Sequence, residues 1–280
     1  MESIPIWKVI FLGAVQGATE FLPISSSAHL VIFQQWLHLS QQGDFLLAFD
    51  IALHFGTLLA VILFFYRELW VIFQAVLGRK ISPSAFPELK DVTTANGRKL
   101  ALFLVFGSIP AAVVGLALKG FFEMLFADVI PASLFLLVTG GILWMTKKFA
   151  KGAIDFDQIK QRQAWGVGLA QAVAILPGVS RSGSTITAGL FLGLRPDVAA
   201  RFSFLLAIPV IGGAVLMEVP HFLRLASPMI LPFVVGAVVS FVVGYASIRW
   251  LLKFVQTGKL YRFSWYCWGM GCFAFLLAIL

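Results

Sequence analysis

QGATEFLPISSSAH, residues 16–29, sets a glutamine, a glutamate, three serines and a histidine inside an otherwise apolar N-terminal stretch. The fold turns on whether this stretch crosses a membrane or breaks inside it. Residues 4–22 are apolar, Pro23 and the serines interrupt them, and only about ten residues follow before HLSQQGD at 38–44. A second stretch has the same build: 163–176 run into PGVSRSGST at 177–185, and only 185–194 remain before Arg195. A helix needs about 20 apolar residues to cross some 30 Å of hydrocarbon. Neither pair of short arms suffices, so each reads as a re-entrant hairpin that enters and leaves on one side. Its tip must be buried in protein or face a water-filled cavity, because lipid cannot satisfy the exposed backbone.

The rest of the chain supplies the surroundings such tips need. It has 280 residues, 60% hydrophobic and 12% charged, with a mean hydropathy of +0.93; a soluble domain carries about 25% charge. Six segments are long and apolar enough to span, at 45–66, 98–119, 128–149, 198–218, 228–251 and 262–280. The expected fold is an all-α polytopic membrane protein, one bundle of six transmembrane helices plus two re-entrant hairpins. The N-terminus, MESIPIWKVIF, has an acid before its first base and no small-residue cleavage site after it, so a removable signal peptide is not expected. The net charge of +8 lies mainly in loops between spans, which points to membrane orientation and anionic lipid rather than nucleic acid. Cys267 and Cys272 sit in the last apolar run without metal-site or disulfide spacing and are expected to be free thiols.

The two hairpins resemble each other. Gly13 and Gly168, Gln16 and Gln171, Ser25 and Ser180, and Ser27 and Ser182 share one offset, Pro23 and Pro177 match with a one-residue slip, and FLLA occurs at 45–48 and 204–207. The chain thus divides into halves 1–150 and 151–280, each a hairpin (4–38 and 163–194) followed by three spans. Three is odd, so the halves enter from opposite sides, an inverted-topology repeat whose tips meet near the midplane. Most lysines and arginines fall in loops 67–98, 147–162, 195–201 and 249–262, against Lys8, Lys119 and Arg224 on the other side. The basic side is cytoplasmic. Both termini and the mouth of the first hairpin are expected outside.

Charge at membrane depth is costly and marks function. Glu20 and Arg181 lie at the two tips. Ser25, Ser26 and Ser27, and Ser180, Ser182, Gly183 and Ser184, place small hydroxyl or bare residues at helix starts, where free N–H groups attract anions. Arg181 adds a fork suited to phosphate oxygens. Gln16 and Glu20 share a helix face, as do Ser26 and His29. A serine or histidine nucleophile, a carboxylate and an arginine are the parts of a phosphoryl-transfer site. In FDIALHFG, Asp50 and His54 form another i, i+4 pair that supports the site or serves a helix–helix contact; Glu218 and His221 read as solvated. Glu20, Asp50 and His54 near one cavity would suit Mg²⁺ or another divalent cation, with Glu20 the expected ligand.

QGATEFLPISSSAH and LPGVSRSGSTI resemble the two signature motifs of the undecaprenyl-diphosphate phosphatase family, the bacterial bacitracin-resistance proteins, and FDIALHFGTLLAV, GSIPAAVVG and RFSFLLAIP extend the likeness along nearly the whole chain. The resemblance implies hydrolysis of a polyprenyl diphosphate, undecaprenyl diphosphate, to the monophosphate and inorganic phosphate, recycling the lipid carrier of peptidoglycan synthesis and conferring bacitracin resistance. It places Glu20, Ser26, His29 and Arg181 in the catalytic set. Gln16 stands where many members carry a second carboxylate, which leaves Glu20 as the one acid. Type 2 phosphatidic acid phosphatases share the Ser-Arg pair, but the histidine they require six residues on is Thr187 here. The rival reading is a lipid flippase or transporter, since broken helices in inverted repeats are a transporter design; a structural membrane subunit would leave the tip charges unused. Assembly as a homodimer is compatible with the sequence.

Overall fold

A computed structural model describes residues 4–39, 43–79, 94–126, 128–149, 152–222 and 230–280. Over these residues the chain is helical, and the six spans fall where the apolar runs place them: Leu46–Phe64, Asn96–Ala117, Val129–Phe149, Pro196–Met217, Ile230–Val255 and Leu260–Ile279. The helices that form them are α3 (Gly43–Phe64), α5 (Thr94–Ala117), α7 (Val129–Phe149), α10 (Pro196–Phe222), α11 (Ile230–Val255) and α12 (Phe263–Ile279), the last preceded by a short 3-10 turn at Leu260–Arg262. Their outward faces are apolar: Leu63, Leu102, Val113, Leu216 and Val242 are each at least half exposed. Water would not tolerate such continuous apolar surface, whereas hydrocarbon favours it. The chain is a multi-pass membrane protein. Cys267 is buried, Cys272 is exposed, and both are free. Glu218 and His221 fall within α10, but their side chains lie outside the described residues.

Two short-helix pairs stand among these spans. In the first, α1 (Ile6–Phe21) and α2 (Ser26–Trp36) fold back on each other: Lys8 Nζ, near the start of α1, donates to the carbonyl of Leu37 beyond α2 at 2.8 Å. Phe11 and Phe33 meet edge to face at 5.1 Å. In the second, α8 (Gln161–Val173) and α9 (Arg181–Phe191) do likewise, with Gln163 Nε2 donating to the Leu192 carbonyl at 3.4 Å. Both are helical hairpins with a broken, proline-containing tip.

The hairpins open toward opposite ends of the bundle. Gly13 and Gly17 of α1 meet Gly236 and Ser240 of α11 in the same order, a Cβ on either glycine coming within 2.8 Å of a carbonyl oxygen, so the helices run parallel and the open end of the first hairpin lies where α11 begins. The second opens where α5 and α10 begin: Lys99 Nζ reaches the Asp157 carbonyl just before α8, and Arg195 pairs with Asp155 and Asp197. The two first arms use the same device to seat themselves. Gly168 of α8 lies against Gly107 of α5, where a Cβ would come within 2.5 Å of the carbonyl oxygen. Removing Cβ lets two backbones approach closely, the usual way membrane helices gain contact when lipid gives no hydrophobic drive to associate. A glycine on a span, Gly236 of α11 or Gly107 of α5, thus faces the first arm of each hairpin.

Two elements depart from the expected loops. Residues 67–98, read as a loop, begin with helix α4 (Tyr66–Val76), which turns Glu68 inward to Arg201 of α10 at 2.8 Å. The pair is nearly buried, so the amphipathic segment docks on the bundle rather than trailing from it. Helix α6 (Lys119–Phe126) likewise fills part of the link between α5 and α7.

Candidate active site

The tips meet. Ser182 Oγ donates to the carbonyl of Leu22 at 3.0 Å, and the Gly178 N–H donates to Ser27 Oγ at 3.4 Å. Each tip ends in a capped helix start. Ser25 caps α2, its Oγ accepting from the Ala28 N–H at 3.4 Å; Ser180 caps α9, accepting from the Gly183 N–H at 3.1 Å. The sequence pattern of a small hydroxyl residue before each helix thus does what it does in any N-cap, satisfying donors the first turn leaves free. The second tip is further clamped by Thr139 of α7. Its hydroxyl donates to the Gly178 carbonyl at 2.7 Å and accepts from the Ser180 N–H at 2.9 Å. Gly178 itself sits at φ +102°, a conformation open to glycine and strained for other residues. Nothing in the sequence marks Thr139, one of two threonines in an apolar span.

Between the tips lies a cleft of about 480 Å³ bordered by α3, α5 and α10. Glu20, Ser25, Ser26, Ser27, Ser180 and Arg181 line it from the tips, and Asp50 and His54 from α3. Glu20, 6% exposed at its side chain, is the hub. Its Oε1 accepts from Arg181 Nη2 at 2.7 Å. Its Oε2 accepts from Ser26 Oγ at 2.6 Å and from Gln16 Nε2 at 3.0 Å. His54 Nε2 stands 3.8 Å from the same oxygen. Because a carbonyl only accepts, the 2.7 Å bond between His54 Nδ1 and the Asp50 carbonyl fixes the proton on Nδ1. That turns Nε2 toward Glu20. Asp50 Oδ1 is held by Gln34 Nε2 at 2.7 Å.

The structure therefore unites Glu20, Ser26 and Arg181 as expected and brings His54 from a supporting position to direct proximity with the carboxylate. It places His29 elsewhere. That ring is buried, with Nδ1 donating to the Ser25 carbonyl at 2.7 Å and Nε2 accepting from the Tyr266 hydroxyl at 2.8 Å. It grips the backbone of Ser25, a non-glycine residue at φ 68°, and does not line the cleft. Among the expected binding residues, Ser182 is occupied by the tip-to-tip bond, and Gly183 lies against the Ser180 side chain and the Pro23 carbonyl. Ser184 is buried with its hydroxyl unpaired, and Gln16 acts through Glu20 while its own Oε1 lacks a partner.

The donor set does not build a protein cage for a divalent cation. Both Glu20 oxygens are engaged, and among the described residues no three His, Cys, Asp or Glu side chains converge on one point. What the cleft offers is a hydroxyl bonded to a buried carboxylate, an arginine facing the same carboxylate, a histidine beside it, and two helix N-termini. Such a set can hold an anion and move a proton off a hydroxyl.

Residues 9–273 match the family described as bacitracin resistance protein BacA. The undecaprenyl-diphosphatase of Desulfosudis oleivorans is 41% identical over 267 residues, covering 95% of this chain and 96% of its own length. That of Halothermothrix orenii is 38% identical over 277 residues, 98% of each chain, and that of Trichlorobacter lovleyi 42% over 270 residues, 95% of each. This chain belongs to the bacitracin resistance protein BacA family.

Proposed function

We infer that the chain hydrolyses undecaprenyl diphosphate to undecaprenyl phosphate and inorganic phosphate within the membrane, returning the lipid carrier to cell-wall synthesis. The observation that carries the reading is the 2.6 Å bond from Ser26 Oγ to Glu20 at the floor of a cleft that also holds Arg181. On this reading the terminal phosphoryl group sits between the two helix starts, with Arg181 and the tip N–H groups against its oxygens. Ser26 Oγ forms a bond to the terminal phosphorus, the bond from phosphorus to the bridging oxygen breaks, and undecaprenyl phosphate leaves. Glu20 takes the serine proton and His54 carries it onward. Water then attacks the phosphoserine, releasing inorganic phosphate and restoring the hydroxyl. Charge growing on the phosphoryl oxygens is met by donors already in place, the most effective form of stabilisation. A transporter needs a binding site but no activated hydroxyl, and this feature favours hydrolysis over the flippase reading.

His29 is a positioning residue on this reading, holding Ser25 so that Ser26 faces Glu20. Both termini and the cleft mouth lie on the periplasmic face. The aromatic cluster of Trp144, Tyr261 and Trp265 with Lys147 at 4.9 Å over the Trp144 ring supports an interface at the basic, cytoplasmic end. The hairpins are re-entrant, and the halves form an inverted repeat. The test is phosphate release from detergent-solubilised protein given undecaprenyl diphosphate, in Mg²⁺ and separately in chelator, which also settles the cation requirement. Wild type releases phosphate, and Ser26→Ala and Arg181→Ala each lose about a thousandfold. A wild type that moves lipid between leaflets without releasing phosphate would overturn the reading.

A further inference from the structure

A second cavity of about 540 Å³ lies beside the cleft, between α3, α10 and α11. Its walls are wholly apolar, with Phe55 and Leu59 from α3, Val219 from α10, and Val234, Val238 and Phe241 from α11. It is not a separate hole: Ile51 and Val215 border both this groove and the polar cleft. On α3 the division is made within about one turn, since Asp50 and His54 face the cleft while Ala52 and Phe55 face the groove. Phe55, Leu59, Val234 and Val238 are each between 41% and 55% exposed, so the groove is open along its length to the hydrocarbon around the bundle.

We propose that this groove is the seat of the first isoprene units of the substrate, with Ile51 and Val215 forming the threshold between diphosphate and chain. The proposal rests on the phosphatase reading, and the physics follows from that substrate. A diphosphate held by Arg181 and the tip N–H groups brings its first prenyl carbons to the edge of a polar cleft. Leaving them there would expose apolar carbon to water, which is unfavourable in proportion to the area exposed. The apolar groove continuous with the cleft at Ile51 and Val215 receives them instead, and its open side lets the rest of a long chain run into the bilayer. The groove also gives the enzyme a way to use remote binding energy to place the reacting phosphorus.

The test compares kcat/KM for undecaprenyl diphosphate with kcat/KM for isopentenyl diphosphate, whose single isoprene unit is too short to run along the groove. Val234→Trp, which fills the groove, lowers that ratio at least tenfold. Val242→Trp, on the lipid face of the same helix outside the groove, leaves the ratio at its wild-type value. In parallel, wild-type protein is photolabelled with a polyprenyl diphosphate carrying a diazirine on its second isoprene unit. Label falls on α3 and α11 around Phe55, Val234 and Val238, and unlabelled undecaprenyl phosphate displaces it while phosphatidylglycerol does not. An unchanged ratio in Val234→Trp, or label falling elsewhere or displaced equally by phosphatidylglycerol, overturns the proposal. Should Val234→Trp lose its fold, the labelling of wild type decides alone. A wild type releasing phosphate from neither diphosphate would instead sink the phosphatase reading, a distinct result.

Discussion

Replacing Glu20 by glutamine keeps the side chain's shape and removes its charge, and the consequences can be worked from the contacts around it. Opposite unit charges at the 2.7 Å separation of Glu20 and Arg181 attract by about 6 kcal/mol at an effective dielectric of about 20. Desolvating two ions costs several kcal/mol each, so the pair as a whole is near break-even, while removing one partner strands the other at about 3–5 kcal/mol. Glu20→Gln therefore lowers thermal stability in detergent, and Glu20→Gln/Arg181→Gln recovers part of that loss. The catalytic effect has a different signature. A glutamine cannot take the Ser26 proton, and losing a general base costs 10²–10⁴ in rate, or about 3–5 kcal/mol of barrier. Arg181, no longer neutralised, binds the diphosphate at least as well as before. Phosphate-release kinetics on undecaprenyl diphosphate should show kcat down at least a hundredfold with KM unchanged or lower, and the double variant should stay inactive despite its recovered stability. A kcat within tenfold of wild type would refute the base assignment. A raised KM with kcat intact would make Glu20 a binding residue.

Three further outcomes follow from particular contacts. His54→Ala lowers kcat about a hundredfold with little change in melting temperature, whereas Tyr266→Phe, acting through His29 and the Ser25 backbone, shifts activity and stability together; equal activity losses without any stability change would place both histidines in proton transfer. Gly13→Leu and Gly168→Leu each force a carbonyl of the neighbouring span away and destabilise by about 1–3 kcal/mol, read by thermal melting, and a neutral result at either would show that the helix crossing tolerates side-chain volume. In a variant lacking Cys267 and Cys272, Gln158→Cys reacts with a membrane-impermeant thiol reagent only from the cytoplasm and Asp128→Cys only from the periplasm; the reverse pattern would invert the topology.

Much of this molecule was written locally. The spans follow from runs of apolar residues, because hydrocarbon requires every backbone group to be bonded within its own helix. The broken tips follow from Pro23, Pro177 and the serines, and Ser25 and Ser180 cap because N-cap chemistry acts over three residues. Even the meeting of Glu20 with Arg181, far apart in sequence, was legible from the shared offset of the two hairpins and the cost of leaving either charge alone at membrane depth. Helix α4 was hidden because Tyr66–Val76 is too short and too amphipathic to span, and its docking depends on Arg201, which joins Glu68 only once α10 is in place.

The roles of the two histidines belonged to the tertiary structure. Sequence spacing puts Ser26 and His29 on one face of α2, and Asp50 and His54 on one face of α3, but it does not say which way either helix is turned. Packing α2 beside α12 offers His29 the Tyr266 hydroxyl and the Ser25 carbonyl, which satisfy both ring nitrogens away from the cleft. Packing α3 on α11 and α10 turns His54 toward Glu20. Periodicity fixes relative angles around one helix axis; only contacts between helices fix the absolute angle, and it is that angle which decides the residue standing beside the carboxylate.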